Sequence, residues 1–160
     1  MSRSHAGDAV TDLVLPAFEL NGEFLAAAEA IARPAGLSPA QWQVLGATLD
    51  EPLPVAEIAR RVGLGLARQS VQRVADDLVA RGWAEYLPNP MHKRAKLVSP
   101  TLLGRGTLGR LREAQHAWAN AVGAAVTERE LTEARELITR ISAASRAARG
   151  AAATPGSQPS

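Results

Sequence analysis

Five closely spaced side chains carry the first chemical signal in this 160-residue chain: Arg68, Gln69, Ser70, Gln72 and Arg73. A guanidinium group offers paired donors to guanine O6 and N7, and a carboxamide can pair with adenine N6 and N7. Arg and Gln near the start of a helix are therefore the groups that read base edges in a major groove. Further along stands a second basic group, His92, Lys93 and Arg94, with Lys96 just behind it. Arg94 suits the tip of a wing entering a narrow minor groove, where the negative potential is high. Lys93 and Lys96 suit phosphate contacts, which position a protein without specifying sequence. Together these side chains point to double-stranded DNA as the partner.

Such groups work only when rigid elements present them. Val55, Ile58, Ala59 and Val62 recur at helical steps, and Gly63 and Gly65 flank the turn that follows. The next helix, from about Ala67 to Arg81, has Val71, Val74, Ala75 and Leu78 as its inner face and the five polar residues on its early exposed face. Gly82 ends it in the left-handed conformation that glycine tolerates. Trp83 to Leu87 alternates and is bounded by Pro88-Asn89-Pro90, which predicts a strand, and Lys96-Leu97-Val98 is the short return strand. The order is helix, turn, recognition helix, wing. Arg60 and Arg61 lie on the first of these helices, where a solvated surface and a phosphate contact explain them equally well.

Helices flank this module. From Asp8 to Arg33 apolar residues fall at steps of three and four, with Pro16 expected to kink or restart the helix and Pro34 and Gly36 ending it. Ser38-Pro39-Ala40-Gln41 is a helix start with a serine cap, proline in the first helical position and a glutamine able to bond back. Glu51-Pro52-Leu53-Pro54 stops that helix. Thr101 can cap a fifth helix, with Leu111, Ala114, Trp118, Val122 and Ala125 as its inner face. Gly104, Gly106 and Gly109 weaken its first turns, at roughly 1 kcal/mol each against alanine. Thr127-Glu128-Arg129-Glu130 is a second capping box and opens the last helix. The fold class expected is mainly α with a small β-hairpin wing. It comprises one domain, 8–146, with a winged helix-turn-helix lobe over about 38–100, terminal helices over about 8–33 and 101–146, and disordered tails at 1–7 and 147–160. The apolar stripes of the terminal helices lie far apart in sequence, and a two-fold homodimer would bury them together. Such a dimer also presents two recognition helices, as a palindromic operator requires.

Charge is local. Residues 54–96 hold eight basic and four acidic side chains, whereas residues 1–53 hold two basic and seven acidic, so the polyanion-facing segment coincides with the helix-turn-helix pattern. The chain has no cysteine, which removes disulfides, thiolate metal sites and thiol redox sensing. His5, His92 and His116 are dispersed, and no metalloprotease helix, phosphate loop or nucleophile elbow is present. An enzyme is not expected, nor a metal or cofactor. No apolar run is long enough to span a bilayer and no export signal opens the chain, so a cytoplasmic location is expected, with no membrane partner. The rival to DNA binding is a winged-helix protein–protein adaptor, whose recognition face would be acidic or apolar. A small-molecule effector is possible, with Phe18 and Trp42 as candidates to line its pocket, although both sit at helical positions that ordinary packing also explains.

These pieces, in this order, resemble the MarR (multiple antibiotic resistance regulator) family of transcription factors over roughly Asp8 to Arg146. The resemblance rests on Gly36-Leu37-Ser38-Pro39-Ala40-Gln41-Trp42, Val55-Ala56-Glu57-Ile58-Ala59, Arg68 to Arg73 with Leu78 and Arg81-Gly82, and the wing from Asn89-Pro90 to Lys96. It implies a two-fold dimer of winged lobes joined by N- and C-terminal helices. It also implies a repressor that releases DNA when a small molecule binds between the lobes. The chain departs from the family pattern at four places. His92 stands where an acidic residue usually steadies a wing arginine. Pro16 interrupts the first helix, Pro100 replaces a common aliphatic residue, and Ala67 replaces a hydroxyl cap.

Overall fold

The computed structural model describes residues 4–62 and 68–152, except for the side chains of Arg68 and Ala152. Gly63, Gly65 and Ala67, assigned above to the turn and cap before the recognition helix, lie outside the described residues.

Ser4 starts the first helix. Its hydroxyl accepts the Gly7 N–H at 3.1 Å, and α1 runs His5–Ala32. His5 to Gly7, expected to be disordered, are helical, because a serine cap satisfies an otherwise unpaired amide and lets the helix begin at His5. The helix also passes through Pro16 as one element of 28 residues, without the expected restart. Proline removes one backbone bond, and the bonds on either side carry the helix past it. A 3-10 turn, Arg33–Ala35, leads to Gly36 at φ 77°. The Leu37 N–H bonds to Ala32 O at 3.2 Å and the Gly36 N–H to Arg33 O at 2.9 Å, the double closure that a left-handed glycine permits.

The capping box expected at Ser38 is present, with Gln41 N–H donating to Ser38 Oγ and Ser38 N–H donating to Gln41 Oε1 at 2.7 Å. It opens α2, Pro39–Ala47. Then follow β1 (Leu53–Pro54), α3 (Val55–Val62), α4 (Arg68–Ala80), β2 (Ala84–Leu87), β3 (Leu97–Pro100), α5 (Leu102–Gly123) and α6 (Glu128–Ala152). Thr101 caps α5 through the Gly104 N–H, and Thr127 with Glu130 forms the second capping box, opening α6. α6 continues past Arg146 to Ala152, so residues 147–152, expected to be disordered, are helical. Alanine has the highest intrinsic helix propensity, and this stretch is rich in it.

The wing is one strand larger than the hairpin read from sequence. Antiparallel β3 lies centrally, paired with β2 through Ala84↔Pro100 and Tyr86↔Val98, and with β1 through Leu53↔Val98 and Pro54↔Leu97. The prolines around Leu53 masked β1. Pro54 has no N–H to donate and is tolerated because β1 is an edge strand.

Leu45, Ile58, Val71, Leu78 and Val98, all fully buried, bring α2, α3, α4 and the sheet to one core, which Leu108 and Leu111 of α5 join. Gly104, read from sequence as a weak point, is a contact requirement. A Cβ placed there would lie 2.1 Å from the Trp83 carbonyl oxygen, so only glycine allows α5 to pass this close to the chain leaving α4. The chain divides into two compact units within α5, between His116 and Ala117. The second unit is built on the C-terminal part of α5 and on α6, where Val122, Leu131, Leu137 and Ile138 are exposed. No helix among the described residues is long and apolar enough to cross a membrane.

Candidate nucleic-acid interface

Packing fixes how α4 is oriented. Val71, Ala75 and Leu78 are sealed in the core, which turns Gln69 and Arg73 outward. Ser70 is half-buried on one flank. Gln72 is exposed on the other flank, but its amide is tethered: Nε2 donates to Asp76 Oδ1 at 3.0 Å and to the Tyr86 hydroxyl oxygen at 2.8 Å. The Arg68 backbone opens α4, and its side chain lies outside the described residues. The far end of α4 is closed by Gly82 at φ 75°, with Trp83 N–H bonding to Leu78 O at 2.9 Å and Gly82 N–H to Val79 O at 3.0 Å. This is the glycine stop expected from sequence.

The wing tip is shaped by short-range hydrogen bonds. The Met91 N–H donates to Asn89 Oδ1 at 3.0 Å, and the His92 N–H to Asn89 O at 3.2 Å. The Arg94 N–H then donates to His92 Nδ1 at 3.3 Å. The His92 imidazole thus bonds to the backbone of Arg94. His92, Lys93, Arg94 and Lys96 are all exposed. Lys96 Nζ lies 5.5 Å from the centre of the Tyr86 ring, a cation–π contact.

Ion pairing sorts the basic residues. Arg60 pairs with Glu57, and Arg61 with Glu57 at 3.1 Å and Glu51 at 2.6 Å. Arg81 pairs with Asp77 at 3.7 Å, donates to Gly36 O at 2.8 Å and lies 4.0 Å over the Trp83 ring. Arg73, Lys93, Arg94 and Lys96 have no acidic partner among the described residues. Their charge remains available to an external polyanion, whereas that of Arg60, Arg61 and Arg81 is already matched.

Sequence reasoning missed Asp76 and Tyr86. Tyr86 Oη donates to Asp76 Oδ1 at 2.5 Å, and burial first, then this carboxylate, pushes the phenol pKa up to about 12. The i, i+4 spacing of Gln72 and Asp76 was a visible hint; the arrival of Tyr86 from β2 was not. A cleft of about 320 Å³ lies beside this network, lined by Val55, Gln72, Asp76, Tyr86, Arg94 and Lys96. Phe18 and Trp42 are not brought together. Phe18 is 69% exposed on α1, in an open depression with Val14, Ala17 and Asn21, while Trp42 packs against the lobe core.

Comparison with known proteins agrees with this geometry. The MarR family model matches residues 35–95, from the end of the 3-10 turn to the wing tip. Uncharacterized proteins of Mycobacterium tuberculosis and Mycobacterium bovis are 37% identical over 142 residues, covering 89% of this chain and 98% of theirs. Among solved structures, a MarR family transcription regulator aligns with TM-score 0.76 at 19% identity, covering 94% of this chain and 97% of its own. A mutant MarR from E. coli complexed with operator DNA aligns with TM-score 0.72 at 22% identity, covering 86% and 99%. The transcriptional regulator BldR from Sulfolobus solfataricus aligns with TM-score 0.70 at 20% identity, also covering 86% and 99%. With its three-stranded wing, its buried recognition-helix stripe and these relatives, the chain belongs to the MarR family of winged-helix transcription regulators.

Proposed function

We propose that this protein is a homodimeric, sequence-specific regulator that binds a palindromic DNA operator, with α4 in the major groove and the wing in the adjacent minor groove. The observation that carries this reading is the contrast in charge pairing. Arg73, Lys93, Arg94 and Lys96 are exposed on α4 and the wing without acidic partners among the described residues, while Arg60, Arg61 and Arg81 are neutralised. Arg68, Gln69, Ser70, Gln72 and Arg73 are assigned to the major groove, Arg94 to the minor groove, and His92, Lys93 and Lys96 to the wing's phosphate contacts. The dimer is supported by the exposed apolar residues along α1 and α6. The family resemblance supports repression relieved by a small apolar effector. If Phe18 lines that effector's site, a partner surface must cover it, because one copy leaves it open.

The experiment is a duplex selection with the full chain, followed by titration at several salt concentrations. Arg73→Ala should cost on the order of 1–3 kcal/mol on the selected duplex and relax preference at one position. Lys96→Ala should weaken all duplexes alike and reduce the salt slope by about one unit. Arg60→Ala should change neither. Elution of the wild type from heparin at low salt, with no duplex selected, would instead support the adaptor reading.

A further inference from the structure

The Gln72 amide is not free to choose its orientation. Its nitrogen donates to Asp76 Oδ1 and to the Tyr86 oxygen, and Tyr86 gives its single proton to the same Asp76 oxygen. Proton counting fixes the arrangement. An ionised carboxylate only accepts, and a phenol whose proton is committed can only accept further bonds. Both neighbours of the amide therefore need donors, and only its amino end supplies two. Turning the amide over would set Oε1 against two acceptors. The network also joins two elements, Gln72 and Asp76 on α4 and Tyr86 on β2, so the side chain is held from both.

With the nitrogen committed, the remaining hydrogen-bonding atom of Gln72 is the carbonyl Oε1, which accepts nothing among the described residues. A free glutamine reads adenine through both ends of its amide, accepting from N6 and donating to N7. This glutamine has no donor left for N7. Resting on the function proposed above, we propose that Gln72 is an acceptor-only reader. It selects, at one position in each half-site, a base with an exocyclic amino group in the major groove, adenine or cytosine, and Tyr86 and Asp76 are its positioning residues. Guanine and thymine present O6 and O4 at that edge, so oxygen would face oxygen.

The test is the base preference of the full-length chain, measured on the duplex selected from a random library and on its single-base variants. At one position per half-site, adenine and cytosine should bind within about threefold of each other, with guanine and thymine on the order of tenfold weaker. Gln72→Ala should erase that preference and leave the other positions as they are. Tyr86→Phe removes the phenol oxygen and frees one amide hydrogen, which can then be donated to a base-edge acceptor such as guanine O6 or thymine O4. The penalty for guanine and thymine should then shrink to about threefold or less, with the salt slope and random-duplex affinity unchanged. Asp76→Asn, which offers the amide a neighbour of either polarity, should relax the profile in the same direction. A purely structural role for Tyr86 would lower the melting temperature or the affinity for every duplex and leave the base profile intact, and that result overturns the inference. So does a wild type that accepts adenine alone at this position, or a Gln72→Ala profile identical to the wild type. In those cases the DNA-binding function would still stand. A chain that prefers no base at any position would overturn both.

Discussion

The winged lobe and the terminal helices treat their apolar residues in opposite ways. In the lobe, Leu45, Ile58, Val71 and Leu78 are fully buried within one copy of the chain. On α1 and α6, Val10, Val14, Phe18, Leu131, Leu137 and Ile138 stay exposed. Both regions show the same helical periodicity, so periodicity alone does not say what covers a stripe. The lobe is closed by segments of its own sequence. Each terminal helix leaves a stripe of apolar residues open, which is the physical argument for the second copy proposed above.

Three measurements break or sharpen this contrast. Leu78→Ala should have the largest effect, about 2–5 kcal/mol of stability in a denaturant titration, because it empties a sealed site at the centre of the lobe. That loss should be the same at every protein concentration if the lobe is complete in one copy. Val14→Asp touches only the open stripe. It should weaken self-association by about 2 kcal/mol, roughly thirtyfold, in sedimentation equilibrium, because a charge would enter the proposed dimer seam without a partner. A variant that self-associates as well as the wild type would place the pairing surface elsewhere.

The smallest effect concerns the bridge between recognition helix and wing. The Tyr86 pKa is raised to about 12 from an ordinary value near 10, so the folded state holds this proton more tightly than the unfolded chain does. The resulting stabilisation is complete below about pH 10 and is lost as the pH rises through about 12. Between pH 9 and 11.5 the wild type should lose about 1 kcal/mol more than Tyr86→Phe. Equal losses would mean that the phenol proton is not held by the fold.

Much of the architecture was legible because its signals are local. Ser38 with Gln41 and Thr127 with Glu130 mark helix starts through groups three residues apart, and Gly82 marks a helix end through the one backbone conformation it tolerates best. The recognition helix and wing followed from short patterns of the same kind. Other features were not legible at that range. β1 is two residues long and flanked by proline, and it exists as a strand only because Val98 and Leu97 lie beside it. Gly104 read as a defect until the Trp83 carbonyl was found pressed against it. Arg60 and Arg61 read from sequence equally well as solvated residues and as phosphate contacts, and their acidic partners favour the first reading.

The sequence by itself determined which segments become helices, where the capped ones start, and which side chains stand on the early turns of α4, because each of those depends on neighbours within about one helical turn. Tertiary structure decided which arginines keep their charge free, which glycine is irreplaceable and which end of the Gln72 amide remains unbonded. Those outcomes depend on groups that meet only after distant segments pack. Tyr86 reaches Gln72 from another element, and hydrogen bonds and ion pairs act over a few ångströms whatever the separation along the chain.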